Sequence, residues 1–171
     1  MTSLTQPLRN EHADILPRIE QMRRVADQIG ELSDDVVKKS VADVHDFLSG
    51  HLIAHAEAEE AALYPMVGEV CGAAEVTATM SREHEEIGSM VDELGETRGR
   101  LEASGPDANV ERELRRLLYG LHALVGVHFR KEEEIFLPLL DDRLTRERAD
   151  QMFEALHAAA HEALEQASRA E

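Results

Sequence analysis

The sequence has no tryptophan, a single cysteine and few aromatic residues, and each shortage excludes a class of protein. Cys71 has no partner for an internal disulfide, and we interpret it as a surface-loop thiol. Few aromatics beside many Ala, Leu, Glu and Arg favour helix over strand. No apolar run approaches the roughly 20 residues of a membrane span, and no signal peptide is recognisable. We therefore expect a cytoplasmic, all-α protein.

Basic residues are also scarce relative to acidic ones. Lys and Arg number 18 against 35 Asp and Glu, which gives a net charge of −17. Such a surface repels phosphate backbones and anionic membranes, so we expect no nucleic acid and no membrane as partner. Most of these carboxylates fit solvated helix faces, which leaves the question whether a few are metal ligands.

Apolar residues recur at steps of three and four, the period of helices that share a bundle core. The pattern predicts helices over residues 4–29, 35–64, 73–103 and 108–137, and a fifth helix capped by Thr145. We expect Pro65 with Gly68, and Pro138, to end the second and fourth helices. The predicted fold is an up-down-up-down four-helix bundle over residues 1–142, with an additional C-terminal helix over residues 143–171 packed on it.

Two stretches on the second and fourth helices share one skeleton, HAEAEEAALYP and HFRKEEEIFLP. Each places a His four residues before a Glu, His55 with Glu59 and His128 with Glu132. Residues four apart stand on one helix face, so each stretch offers an imidazole and a carboxylate in the same direction. The two halves of the chain therefore look like copies of one helix-loop-helix unit.

In an antiparallel bundle, the starts of helices one and three lie beside the ends of helices two and four. His12 and His84, each preceded by Glu, lie near those starts. The predicted site has four imidazoles and two carboxylates at one level of the core: His12, His55, Glu59, His84, His128 and Glu132. Burying ionised carboxylates without a compensating cation costs several kcal/mol each, and the core positions offer no Lys or Arg. A pair of divalent metal ions would supply the missing charge.

Mixed imidazole and carboxylate ligands without thiolate suit iron, manganese or zinc. Six ligands would fill the shell of one ion, whereas two ions that share bridging carboxylates keep positions open. A structural zinc site would use four ligands, often cysteines, and is disfavoured. The residues alone predict a two-metal site, with iron as the first choice. The alternative is a metal-free helical interaction protein whose core polar groups bond one another.

The order His…His-x-x-x-Glu…His…His-x-x-x-Glu resembles the hemerythrin-like, or HHE cation-binding, family over residues 8–140. The resemblance implies two non-haem iron ions bridged by carboxylates and by an oxo or hydroxo group. Matching of motif positions implies one iron at His12 and His55, the other at His84 and His128, and bridges at Glu59 and Glu132.

One position departs from the oxygen-carrying members of that family, which have a fifth His one turn after the third-helix ligand. This chain has Gly88 there, so one iron lacks a protein ligand or borrows Glu83, Glu86 or Tyr119. An open position favours reaction over reversible carriage.

The resemblance implies binding of, and reaction with, small oxidants: hydrogen peroxide, dioxygen or nitric oxide. Catalase-like peroxide detoxification under oxidative or nitrosative stress is the leading expectation, and whether the protein is an enzyme stays open. Reversible dioxygen binding or sensing, and iron storage or delivery for iron–sulfur cluster repair, are the alternatives. We expect a monomer or a weak homodimer.

Residues near the motifs have plainer interpretations. Glu60 and Glu133 turn away from the core, where either would hold a histidine proton. His51 is interpreted as packed or partly exposed. The other histidines are too far away or on solvated faces: His45, His122, His157 and His161.

Overall fold

A computed structural model describes residues 3–170, with side chains through residue 166. All regular elements in this range are helices: α1 (Gln6–Gln28), α2 (residues 34–71), a 3-10 turn (Ala74–Thr77), α3 (Ala78–Ser104), α4 (residues 108–143) and α5 (Arg146–Ala170). The all-α prediction is therefore confirmed. Within the described range, no helix combines the length and apolar character needed to cross a membrane.

Helices α1 to α4 form the bundle, in which each helix packs against the two beside it in a closed square. α5 packs along the outside of α2, against residues 53–63. Its buried positions are Ala149, Met152, Leu156 and Ala163. The apolar period of this helix would place Phe153, Leu156 and Leu164 on one face; Leu156 is buried and Phe153 packs against the apolar cluster, but Leu164 is 43% exposed.

Local sequence explains where the helices begin and end. The Asp107 carboxylate accepts the Asn109 and Val110 N–H groups at 2.7 and 2.9 Å and so caps α4. Thr145 Oγ1 accepts the Arg148 N–H at 3.3 Å, which confirms the predicted cap of α5. α2 ends at Gly72, whose φ of 71° lies in the left-handed region that favours glycine.

The predicted helix ends at Pro65 and Pro138 are wrong, because both helices continue through their prolines. α2 runs on to Cys71 and α4 to Arg143. Gly68 lies inside α2, where a Cβ would meet the Ala74 Cα at 3.2 Å. The glycine thus permits close packing against the 3-10 turn instead of ending the helix.

Wide π-helical turns immediately before the two prolines explain how the helices continue. These turns cover Glu59–Leu63 and Glu132–Phe136. After each, a backbone N–H donates to a carbonyl five residues back, as from Tyr64 to Glu59 and from Leu137 to Glu132. The regular pattern of backbone hydrogen bonds to the fourth residue back is already interrupted here. A proline, which has no backbone N–H, is therefore tolerated.

The same shift moves the core position after Glu132. The apolar period of a regular helix predicts that Ile135 is buried, but Ile135 is 56% exposed and Leu137 is fully buried instead. In the other half, the residue five after Glu59 is Tyr64, which is 3% exposed. The π turns therefore decide which side chains approach the predicted site.

Two apolar clusters fill the bundle and leave a polar layer between them. In α1, Leu8 belongs to one cluster and Ile15 to the other, with His12 in between. In α3, Met80 and Ile87 flank position 84 in the same way. The predicted ligands therefore occupy one level of the bundle, enclosed by apolar side chains above and below.

Candidate metal centre

All six side chains selected from the sequence converge in this polar layer. Five have exposed side-chain fractions of at most 3%: His12, His55, Glu59, His128 and Glu132. The sixth, His84, is more accessible at 9%. Two groups have ligand atoms mutually within 4.8 Å and share one carboxylate: His12, His55 and Glu59, and Glu59, His84 and His128.

Glu59 contacts imidazoles from both predicted metal halves. Its Oε1 lies 3.1 Å from His55 Nε2 and 3.6 Å from His12 Nε2. Its Oε2 lies 3.4 Å from His84 Nε2. The carboxylate therefore stands between the halves, where a bridging ligand has to be.

Glu132 has the equivalent place across the centre. Its Oε2 lies 3.5 Å from His12 Nε2, and its Oε1 lies 3.3 Å from His128 Nε2. This carboxylate also reaches one imidazole of each half. The two glutamates thus repeat the symmetry of the twin stretches that carry them.

A ring of outer glutamates orients the four imidazoles. Each histidine donates its Nδ1–H to a glutamate on a neighbouring helix: His12 to Glu133 (2.8 Å), His55 to Glu11 (2.9 Å), His84 to Glu60 (2.8 Å) and His128 to Glu83 (2.9 Å). The bonds link α1 to α4, α4 to α3, α3 to α2 and α2 back to α1. Every Nε2 lone pair is left facing inward, as metal ligation requires.

The predicted proton-holding role of Glu60 and Glu133 is borne out by these contacts, and the same role of Glu11 and Glu83 was missed. The sequence signal was available, because each outer glutamate directly precedes or follows a predicted ligand. A residue beside a ligand on a helix points about 100° away from the core, toward the next helix. That direction is where the neighbouring imidazole presents its outer nitrogen.

The buried centre contains polar atoms that no protein group satisfies. Five such atoms lack a hydrogen-bond partner among the described residues: His12 Nε2, His55 Nε2, both oxygens of Glu59 and Glu132 Oε2. Each unsatisfied buried group costs about 1–3 kcal/mol, so five would cost roughly 5–15 kcal/mol. That equals the whole stability of a typical domain, about 5–15 kcal/mol. A cation among these atoms removes the penalty, so the donor set fits a metal.

Two imidazole nitrogens face each other in the same way. The Nε2 atoms of His84 and His128 lie 2.9 Å apart, while both Nδ1–H groups are already bonded to glutamates. Two neutral imidazoles in this state present lone pairs to one another, which is repulsive. A shared cation or an extra proton is needed to stabilise the contact.

Electrostatics within the site keep the inner carboxylate ionised. Burial raises the pKa of Glu59, but the charge of His55 and the contacts with His12 and His84 outweigh burial and lower it well below its usual range. Burial likewise opposes charge on His55, yet Glu59 and Glu11 raise the pKa of His55 well above its usual value. Without metal, His55 therefore holds a proton that stabilises the buried charge of Glu59. Metal binding would displace this proton.

Tyr64 is a member of the centre that the sequence analysis missed. Its hydroxyl donates to Glu132 Oε1 at 2.8 Å and lies 3.1 Å from His128 Nε2 and 3.4 Å from His84 Nε2. Burial and the charge of Glu132 raise the pKa of the Tyr64 hydroxyl far above its usual value. A protonated phenol thus lies at the His84 half, the half that Gly88 leaves one ligand short.

The other half of the centre carries a phenyl ring instead. Phe129 stacks on His12, with ring centroids 4.3 Å apart and planes 16° apart. It also meets His55 edge-on at 5.6 Å. One half is thus shielded by a hydrocarbon ring, and the other offers a hydroxyl.

Three residues were expected as possible replacements for the missing fifth histidine, and none of them lies beside the inward-facing Nε2 atoms of the centre. Glu83 is occupied by His128 Nδ1 and by Lys131, and Tyr119 donates to Asp27 at 2.5 Å on the surface. Glu86 is exposed. The polar group that does lie at this half is the Tyr64 hydroxyl, on α2.

The remaining histidines lie outside the centre. His51 is exposed, and its ring stacks on that of Phe47 with the centroids 5.4 Å apart. His45 contacts the Arg98 guanidinium at 3.3 Å, and His122 contacts Glu20 at 2.9 Å. His161 and His157 are exposed on α5.

A four-helix bundle with four inward imidazoles and two buried carboxylates defines a class of helical cation-binding proteins. The chain belongs to the hemerythrin family: the model of the hemerythrin HHE cation binding domain matches residues 3–140. The match includes all six predicted ligands and leaves α5 outside. Comparisons with curated proteins and with solved structures gave no significant match.

Proposed function

We propose that the protein is a non-haem di-iron protein that binds and reacts with small oxidants, with catalase-like breakdown of hydrogen peroxide as the leading reaction. One iron would be held by His12 and His55, and the other by His84 and His128. Glu59 and Glu132 would bridge them. The observation that carries the proposal is the set of five buried polar atoms without partners.

An iron pair, when bound, supplies redox equivalents in steps of two and coordination positions for small ligands. The chain's own residues supply enclosure and a hydrogen-bond donor. Phe129 and the two apolar clusters keep bulk water away from the layer. The Tyr64 hydroxyl, whose raised pKa keeps it protonated, is a hydrogen-bond donor at the His84 half.

Cleavage of the O–O bond of peroxide places negative charge on its oxygen atoms. The Tyr64 hydroxyl, whose raised pKa keeps it protonated, would donate a hydrogen bond to such an oxygen at the His84 half. Two molecules of hydrogen peroxide yield one dioxygen and two waters, so the protons balance without one from the protein. A hydrogen-bond donor beside the half with the open position supports the reaction with peroxide.

The test is to load the protein with iron and measure metal content, then the response to peroxide. We expect close to two iron ions per chain and evolution of dioxygen with repeated turnover. A stable dioxygen adduct that reverses under vacuum, without peroxide turnover, would support the carrier alternative instead. Near-zero metal in protein from iron-rich medium, unchanged in His55→Ala, would refute the di-iron proposal.

Iron storage or delivery is the second candidate, because the ligand shell is not equally closed. His84 is the one ligand with appreciable exposure, at 9% of its side chain. A delivery protein should release iron quickly to a chelator under reducing conditions. Slow release would count against delivery and leave the oxidant reaction standing.

A further inference from the structure

A cleft of about 680 Å³ opens beside the centre, on its His84 side. It lies between the last turns of α2, the 3-10 turn and the start of α3, and its walls include Glu60, Tyr64, Gly68, Ala74, Thr77 and Ser81. Tyr64 and Glu60 belong both to the cleft and to the polar layer. Two residues of the cleft wall are therefore in direct contact with His84 of the centre.

We infer that this cleft is the route by which ferrous iron, as a hydrated divalent cation, reaches and leaves the centre. The inference rests on the proposed function, because it names the way in and out of the same site. Six water molecules at about 30 Å³ each give a hydrated ion of roughly 200 Å³, which the cleft accommodates. Dioxygen or peroxide alone would need only a small part of that space.

The charge along the cleft fits a cation. Glu60 is half exposed in the wall, and its Oε1 accepts from His84 Nδ1 at 2.8 Å. His84 Nε2 in turn lies 3.4 Å from Glu59 Oε2, a fully buried oxygen without a hydrogen-bond partner. Three neighbouring side chains that can bind a cation, Glu60, His84 and Glu59, thus connect the solvent with the buried carboxylate of Glu59.

Two of the other three outer glutamates are less suited to receive a cation, and the third, Glu11, does not line this cleft. Glu133 is paired with Arg9, and Glu83 with Lys131, so their charges are already neutralised. No Lys or Arg pairs with Glu60 within residues 3–166; its second oxygen accepts only the Ser81 hydroxyl, at 2.8 Å. The competing cleft near His12, about 260 Å³, is lined by two basic residues, Arg9 and Arg130, and one acidic residue, Glu133, so its net charge of about +1 disfavours a cation.

The test compares rates of iron uptake by metal-free protein and of iron loss to a ferrous chelator. Ser81→Phe places a ring inside the cleft, and Ser81→Ala removes the same hydroxyl without filling it. Ser89→Phe adds the same ring two turns along α3, at an exposed position outside the cleft. We expect Ser81→Phe to slow both rates by about tenfold or more. Both control variants should stay within about twofold of the wild type.

Two further variants test the result: one narrows the proposed cleft at a second position, and one narrows the cleft near His12. Ala74→Phe narrows the exposed rim of the cleft and should also slow uptake, should Ser81→Phe fail to fold. Ala13→Phe narrows the cleft near His12 and should change nothing. Unchanged rates in Ser81→Phe and Ala74→Phe, or slow uptake in Ala13→Phe alone, would overturn the inference.

The final iron content separates this inference from the proposed function. If the route is right, the slow variants reach the same iron content as the wild type, only later. If all variants load two iron ions at equal rates, the di-iron proposal stands and the route is wrong. If no variant takes up iron at saturation, both are overturned.

Discussion

The Tyr64 hydroxyl donates to Glu132 Oε1 at 2.8 Å, so a side chain from α2 controls a carboxylate on α4. In the twin stretch, the residue at the equivalent position is Leu137, which is fully buried in the apolar cluster. The π turns place both residues toward the core, five positions after a buried glutamate. Their different side chains make a nearly symmetric centre chemically unequal.

We predict that Tyr64→Phe keeps the metal and loses much of the reaction. The six predicted ligands remain, so iron content should stay near that of the wild type. Loss of the hydrogen-bond donor should lower peroxide turnover by about 10²-fold or more, the usual effect of removing one donor aimed at developing negative charge. Oxygen evolution and metal analysis on the same preparation measure the two effects.

The other tyrosine of the chain provides the control for this variant. Tyr119 is 41% exposed and donates to Asp27 on the surface. Tyr119→Phe should leave turnover and iron content unchanged. Equal turnover in both variants would show that the Tyr64 hydroxyl has no part in the reaction.

The outer glutamate ring predicts a loss of metal affinity in Glu133→Ala. His12 would lose the acceptor that fixes its Nδ1–H and hence its inward lone pair. Loss of such a partner typically lowers metal affinity about 10- to 100-fold, and we expect a decrease of that size here. Competition with a chelator of known affinity measures it. The neighbouring Glu134 is exposed, and Glu134→Ala should behave as the wild type.

The sequence predicted the bundle and the six ligands because both depend on helical periodicity. Positions such as His12 and His84 interrupt an otherwise apolar series, and the i to i+4 pairs share one face by geometry alone. The structure places these side chains together at the predicted level. Their role as ligands stays a prediction, which the metal analysis tests.

Tyr64 could not be predicted, because a regular helix turns it away from Glu59. Residues five apart are separated by about 140° on an α-helix. The π turn removes that offset and brings Tyr64 to the centre. The same turn explains why Pro65 was misread as a helix end, since a proline after a regular turn would clash.

Loss of Glu59 should cost the iron-loaded protein more stability than the metal-free protein. We predict that Glu59→Met destabilises metal-free protein by about 3–5 kcal/mol, because His55 loses the buried carboxylate that stabilises its charge. The same variant should gain far less stability from added iron than the wild type, because a ligand is missing. Urea unfolding with and without iron measures both losses.

An exposed glutamate on the same helix is the matched control for Glu59→Met. Glu57→Met changes the same side chain two residues away, at a solvated position. It should alter stability little in either state. If Glu59→Met lowered the free energy of unfolding equally with and without iron, Glu59 would have no part in binding iron.

Asp141 provides a pH-dependent prediction away from the centre. It ties the start of α1 to α4 by accepting the Thr5 N–H at 2.9 Å and the Ser3 hydroxyl at 2.6 Å. Burial opposes ionisation, but these hydrogen bonds and Arg9 outweigh it and lower the pKa of Asp141 below 3.8. A lowered pKa stabilises the fold above the unfolded-state value and ceases to do so as pH falls through the folded one. We expect Asp141→Asn to reduce the free energy of unfolding by roughly 1 kcal/mol at pH 7, after allowance for its partial exposure.

The difference between wild type and Asp141→Asn should stay constant above about pH 5 and shrink below about pH 4. Urea unfolding of metal-free protein across this range measures it. The adjacent Asp142 is exposed and contacts only Arg143 among the described residues, at 3.0 Å, so Asp142→Asn is the matched control. It should show neither the loss at neutral pH nor the convergence in acid. A difference for Asp141→Asn that persisted unchanged in acid would mean that packing, not the ionised carboxylate, ties α1 to α4.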